Sequence, residues 1–254
     1  MNSVRRLRAI ILIALTACGS QADWFLKNVP RDQERFAREY LQLLRAGRAD
    51  SAYMLLIPAL RDSVRTDDLR AIGLHLEAVV LDSAKLVGAN IYNTGAERHA
   101  NLTFEAPVAE GAWMLANVYV KDGRISALHV WPTAAPLAET NAFRLGGKSA
   151  IHYITLLIAA LVALVCLAAA ISAIRSRLHR RWLWALLALV GITKFSVNWT
   201  TGAFTYSVIA AQLFGAGIYK SGPYAPWILS FSFPVGAIIV FEKLRRRSRG
   251  EPAA

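Results

Sequence analysis

The chain has little with which to build a covalent framework or a metal centre. It holds two cysteines, Cys18 and Cys166, so no disulfide scaffold can organise it. Its five histidines are scattered singly, with no cluster of thiols or carboxylates beside them at ligand spacing, so no metal and no cofactor are expected. Acidic residues are also scarce, 17 Asp and Glu against 29 Lys and Arg, for a formal net charge of +12. Before Lys148, uncharged runs long enough to cross a bilayer are missing too, and past the extreme N-terminus that stretch mixes residue types as globular domains do.

The basic excess is not placed as a nucleic-acid surface would need it. Arg5, Arg6 and Arg8 precede the first apolar run, Arg175, Arg177, Arg180 and Arg181 separate two later ones, and Lys243, Arg245, Arg246, Arg247 and Arg249 follow the last. Cations at the borders of apolar runs are what cytoplasmic flanks of membrane proteins carry, so membrane lipid is expected as a partner and nucleic acid is not.

Residues 1–17 read as a signal peptide, with a positive start and an apolar core at 9–17 too short to span. Leu15-Thr16-Ala17-Cys18, followed by Gly19 and Ser20, resembles the lipobox of bacterial lipoproteins. That resemblance implies cleavage before Cys18 and lipidation of Cys18, with 18–31 as a tether and the next domain delivered outside the cytoplasm.

Residues 32–133 are expected to form an exported α+β domain, helices first and an antiparallel meander after. Phe36, Tyr40, Leu43 and Leu44 share a helical face ended by Gly47; Tyr53, Met54, Leu56 and Ile57 mark a second helix before Pro58; Leu69, Ile72 and Leu76 mark a third. Strands are expected over 84–92, 98–105, 112–120 and 124–131, joined at Asn93-Thr94-Gly95, at 107–111 and at Asp122-Gly123. This order, with the segment Leu44-Arg45-Ala46-Gly47-Arg48-Ala49-Asp50-Ser51-Ala52-Tyr53 and the closing hairpin over 113–130, resembles the nuclear-transport-factor-like, or cystatin-like, cone. The resemblance implies a curved sheet wrapped on a helix around a pocket. Candidate binding residues are Tyr53, His99, Asn101, Asn117, Tyr119, His129 and Trp131, the last six placed on strand faces by the period of two. No catalytic residue is assigned, because no acid–base pair is brought together by spacing.

After a linker over 134–148, residues 149–243 read as a helical membrane domain of three spans, at 150–174, 182–199 and 224–241, with 204–218 as a re-entrant or interfacial helix and 244–254 as a basic cytoplasmic tail. Lys194, Asn198, Thr200, Gln212 and Tyr224 form a candidate polar site near the external face. The strings Asn198-Trp199-Thr200-Thr201-Gly202, Gln212-Leu213-Phe214-Gly215-Ala216-Gly217 and Ser221-Gly222-Pro223-Tyr224 resemble a recurrent pattern in uncharacterised bacterial membrane proteins, which implies no particular activity.

The expectation is thus a multi-pass protein of the bacterial inner membrane, its N-terminal domain periplasmic or extracellular and its C-terminus cytoplasmic. The exported domain would bind an envelope protein partner or a small ligand, and the chain would also meet copies of itself as a homo-oligomer. Two alternatives are an oligomeric transporter or channel component, and an enzyme using the cone pocket with His99 or His129 as base.

Overall fold

The structure is a computed structural model that describes residues 29–109 and 111–249. The signal 1–17, the lipidation site Cys18 and most of the tether 18–31 lie outside the described residues, as does the tail beyond Arg249. The chain divides into two units, Met1–Thr140 with Gly222–Ala225 and Asn141–Ser221 with Pro226–Ala254.

In the first unit, Ala37, Tyr40, Leu41 and Leu44 recur at helical spacing and become the buried stripe of α1 (Arg31–Arg45). Asp32 and Glu34 in its first turn oppose the positive end of the helix dipole. Three shorter helices follow: α2 (Ala49–Met54), α3 (Pro58–Arg61) and α4 (Thr66–Leu76). The last is started by the Asp68 carboxylate, which accepts the Arg65 backbone N–H at 2.8 Å.

Four strands come next: β1 (Lys85–Thr94), β2 (Glu97–Pro107), β3 (Trp113–Lys121) and β4 (Arg124–Thr133). They form one antiparallel sheet in the order β1-β2-β3-β4, and a one-turn helix, α5 (Leu137–Thr140), follows it. Asp122 and Gly123 both take positive φ, 48° and 71°, the two-residue turn whose twist suits a hairpin. Ala100, Leu102, Phe104 and Ala106 of β2, with Ala116, Val118 and Val120 of β3, face the core with the α1 stripe. Fully burying side chains of the Leu, Val and Phe type contributes roughly 1.5–3 kcal/mol each. Burial at 1% exposure also pushes the Tyr40 hydroxyl up to about 12.

The second unit overturns the expected three-span helical domain. Among the described residues, only α6 (Ala150–Arg175) is long and apolar enough to cross a bilayer, with 26 residues and a mean hydropathy of 3.0 over its most apolar window. The expected span at 182–199 is a short helix, α7 (Arg181–Ala188), followed by strand β5 (Val190–Asn198). The expected re-entrant helix at 204–218 is instead β6 (Phe204–Leu213) and part of β7 (Ala216–Lys220). The span at 224–241 divides at Pro234 into β8 (Trp227–Phe233) and α8 (Val235–Ser248). These strands build a second antiparallel sheet, in the order β6-β5-β8-β7, so the chain carries a sheet in each half.

The physical reason lies in side-chain branching. Val190, Ile192, Thr193, Phe195 and Val197, like Phe204, Thr205, Tyr206, Val208 and Ile209, lose χ1 freedom in a helix and pack well on a pleated surface. An unbroken apolar run does not by itself choose between helix and strand. The chain passes from β6 to β7 through Phe214 and Gly215, both at positive φ (62° and 67°). The Ser232 backbone N–H and hydroxyl both donate to the Gly215 carbonyl, at 2.7 and 3.1 Å, and pin that passage to β8.

Where the helices of this unit meet, the packing differs from that of the first core. Among the described residues, one of its two buried clusters is made of small residues, Cys166, Ala169, Ala170 and Ala173 of α6 against Ala185 and Ala188 of α7 and Ala237 and Val240 of α8; the other holds Trp199 and Leu229 of the sheet with Ala159 of α6. Larger apolar side chains point outward, with Leu157 61%, Leu164 61%, Val208 64% and Ile209 94% exposed.

Candidate functional site

The candidate residues of the first unit gather on the sheet face turned away from the core. Register places Asn101 opposite Tyr119, Asn117 opposite both Thr103 and His129, Leu115 opposite Trp131, and His99 opposite Lys121. His99, Asn101, Asn117, Tyr119, His129 and Trp131 therefore share one surface. Tyr53 does not join them: its hydroxyl donates to the Arg61 carbonyl at 2.9 Å and ties α2 to the end of α3.

At the centre of this face, the Oδ1 atoms of Asn101 and Asn117 are buried and have no hydrogen-bond partner among the described residues. Leaving a buried acceptor unsatisfied costs about 1–3 kcal/mol. Aromatic rings flank them. Tyr119 and His129 meet edge to face at 6.0 Å, and Tyr92 stacks on His99 at 5.0 Å with planes 4° apart.

One margin is charged. Glu97 lies 2.8 Å from the Lys121 ammonium and 3.4 Å from His99 Nε2. The hydrogen bond from Lys121 holds the Glu97 carboxyl below its usual range, and the same bond holds Lys121 above its own. At the other margin Glu105, buried at 3% exposure, accepts the Leu137 backbone N–H at 2.5 Å. Sequence reasoning missed Tyr92, Glu97 and Lys121. Tyr92 and His99 were within reach of it, since they stand equally far from the turn that follows Thr94.

His99 and His129 sit on different strands with different partners, and Tyr53 is engaged elsewhere. A cavity of about 530 Å³ is lined by Ile72 and His75 of α4 with Met114, Leu128 and His129, and no carboxylate lines it. Among the described residues, no group of three or more His, Cys, Asp or Glu could hold a metal.

The candidate polar set of the second half does not converge. Lys194 donates to the Tyr219 hydroxyl at 3.0 Å and lies 4.3 Å from the centre of that ring. Asn198 Oδ1 accepts the backbone N–H groups of Thr200 and Thr201, which closes the β5–β6 turn, and the Thr200 hydroxyl donates to Asn141 Oδ1 at 2.8 Å. Gln212 donates to Ser230 at the opposite end of the sheet. Tyr224 falls in the Gly222–Ala225 loop, which is grouped with the first unit. Compared with known protein families, curated proteins and solved structures, the chain matches none of them.

Proposed function

We propose that this is a membrane-anchored recognition protein of the bacterial envelope, whose exported unit presents the outer face of its first sheet to a protein partner. The observation that carries the reading is the set of polar and aromatic side chains, His99, Asn101, Asn117, Tyr119, His129 and Trp131, that register brings together on one sheet face. A sheet face carrying Tyr92, Tyr119, His129 and Trp131 fits a protein surface better than it fits a small molecule, which prefers a concave site.

The double substitution Asn101→Leu with Asn117→Leu tests this. It should raise the melting temperature of the full chain, because each orphan acceptor removed returns about 1–3 kcal/mol. It should also abolish crosslinking from a photoreactive residue placed at Thr103 in intact cells. A variant that loses stability, or that crosslinks as well as the wild type, would sink the reading.

For the anchor, support comes from the packing of the helices in the second unit. Small residues bring backbones together and larger ones face outward, as helices do in lipid, where apolar burial gives no driving force. The Arg247 guanidinium donates to the Arg177 carbonyl at 2.8 Å, so both basic clusters lie at one end of α6. By the positive-inside rule that end is cytoplasmic and the residues before α6 are outside.

The sheet is held along α6 from His152, which meets Trp199 edge-on, to Cys166, which lies against Gly215. At that depth an open strand edge is not tolerated. The sheet has two edges; β7 is short and packs on α6, whereas β6 is long and exposed along most of its length, so the embedded form pairs β6 with a second copy. The wild type should then run as an oligomer in mild detergent, and Tyr206→Lys with Val208→Lys, which charges the edge, should run as a monomer. A monomeric wild type would overturn the pairing.

A further inference from the structure

Beyond the end of α6 lies a cavity of about 540 Å³ that the recognition face does not use. Its floor is apolar, made by Leu183, Trp184 and Leu187 of α7, and its rim is cationic, made by Arg180, Lys243 and Arg247. No carboxylate lines it. The nearest acid in sequence, Glu242, is engaged by Arg246 at 2.9 Å. Lys243 and Arg247 stand four apart and so share one face of α8, and the bond from Arg247 to the Arg177 carbonyl fixes its guanidinium at the rim. Arg180, held at positive φ immediately before α7, completes the rim from the other side.

We propose that this cavity binds an anionic membrane phospholipid, the phosphate on the Arg180, Lys243 and Arg247 rim and the upper acyl chain over Trp184. The two halves of the site demand both halves of the ligand. Three cations on a rim without an acid call for an anion, since Arg and Lys side chains recognise phosphate through charge-assisted hydrogen bonds. Free phosphate would leave the Leu183, Trp184 and Leu187 floor wet, whereas an acyl chain removes it from water. The position fits as well, because these cations follow directly on the apolar length of α6, at the level where headgroups lie. The proposal rests on α6 spanning a bilayer.

The test uses the full chain in detergent micelles doped with brominated phosphatidylglycerol or brominated phosphatidylcholine. Quenching assigned to Trp184, the wild-type signal minus that of Trp184→Phe, should saturate with phosphatidylglycerol at roughly tenfold lower mole fraction than with phosphatidylcholine. Lys243→Gln with Arg247→Gln should erase that preference, and millimolar glycerol phosphate should not displace the lipid. Equal quenching by the two lipids, or an unchanged preference in the double variant, overturns the site. Displacement by glycerol phosphate overturns it also, leaving a simple anion site. Flotation with liposomes separates the two readings: a chain that floats but shows no lipid preference loses the lipid site alone, whereas one that does not float loses the span and the lipid site together.

Discussion

Trp199→Ala is expected to destabilise the second unit by ~3–5 kcal/mol, the range for truncating a buried aromatic. Trp199 is 1% exposed and closes the end of the sheet against the start of α6. Its ring stacks on Phe143 at 4.8 Å and takes the edge of His152 at 5.3 Å, while its indole N–H donates to the Arg144 carbonyl at 2.9 Å. Its backbone N–H donates to the Trp227 carbonyl at 2.8 Å, which ties the β5–β6 turn to the start of β8. Truncation removes the ring contacts, leaves a void and takes the donor from Arg144. Trp199→Phe keeps one six-membered ring but loses the rest of the indole together with its N–H, so its cost should lie between those of wild type and the alanine variant, at about 2 kcal/mol. Thermal unfolding of the full chain in detergent, followed by near-UV circular dichroism, measures both. A loss below ~1 kcal/mol for the alanine variant would mean that the ring is not packed as described.

Much of the first unit was legible because its residues repeat with the right period and its turns carry the right chemistry. The expected strands at 98–105 and 124–131 compare with Glu97–Pro107 and Arg124–Thr133. That His99 shares a face with Asn101, and Asn117 with Tyr119, follows from alternation alone. What alternation cannot supply is which faces of neighbouring strands coincide. The Asp122-Gly123 turn sets Lys121 opposite Arg124 and Val120 opposite Ile125, a register that continued unchanged would bring Leu128 to Asn117. A bulge between Tyr119 and Val120 shifts the pairing by one residue and brings His129 there instead. One extra residue flips a strand's side chains to the other face, and nothing in the local sequence announces it.

The second unit was misread for a related reason. Counting crossings by the side on which each basic cluster must lie assumes that every apolar segment is a helix. Residues 229–233 argued otherwise, since Leu229, Phe231 and Phe233 alternate with Ser230 and Ser232 at the period of a strand. Those serines are buried and bond across the sheet, to the Gly217 and Gly215 carbonyls. The cationic cavity was equally hidden. Arg180 and Lys243 are far apart in the chain, and only the packing of α8 on α7 makes their charges converge.

That packing rests on one glycine, and Gly236→Ala is expected to undo it. A Cβ at Gly236 would lie 1.8 Å from the Leu187 carbonyl oxygen and 2.9 Å from that of Val190, both backbone atoms at the end of α7 and the start of β5. No rotamer change relieves a clash with backbone, so α8 must move away from α7, at a cost of at least ~3 kcal/mol. Gly222→Ala, where an added Cβ meets nothing within 4 Å, serves as the matched control and should leave the melting temperature unchanged. If Gly236→Ala melts like Gly222→Ala, the close approach of the two helices is wrong. If it melts far lower, its lipid response carries a second consequence: with α8 displaced, Lys243 and Arg247 no longer face Arg180, and the preference for phosphatidylglycerol should vanish with no change to any cation of the rim.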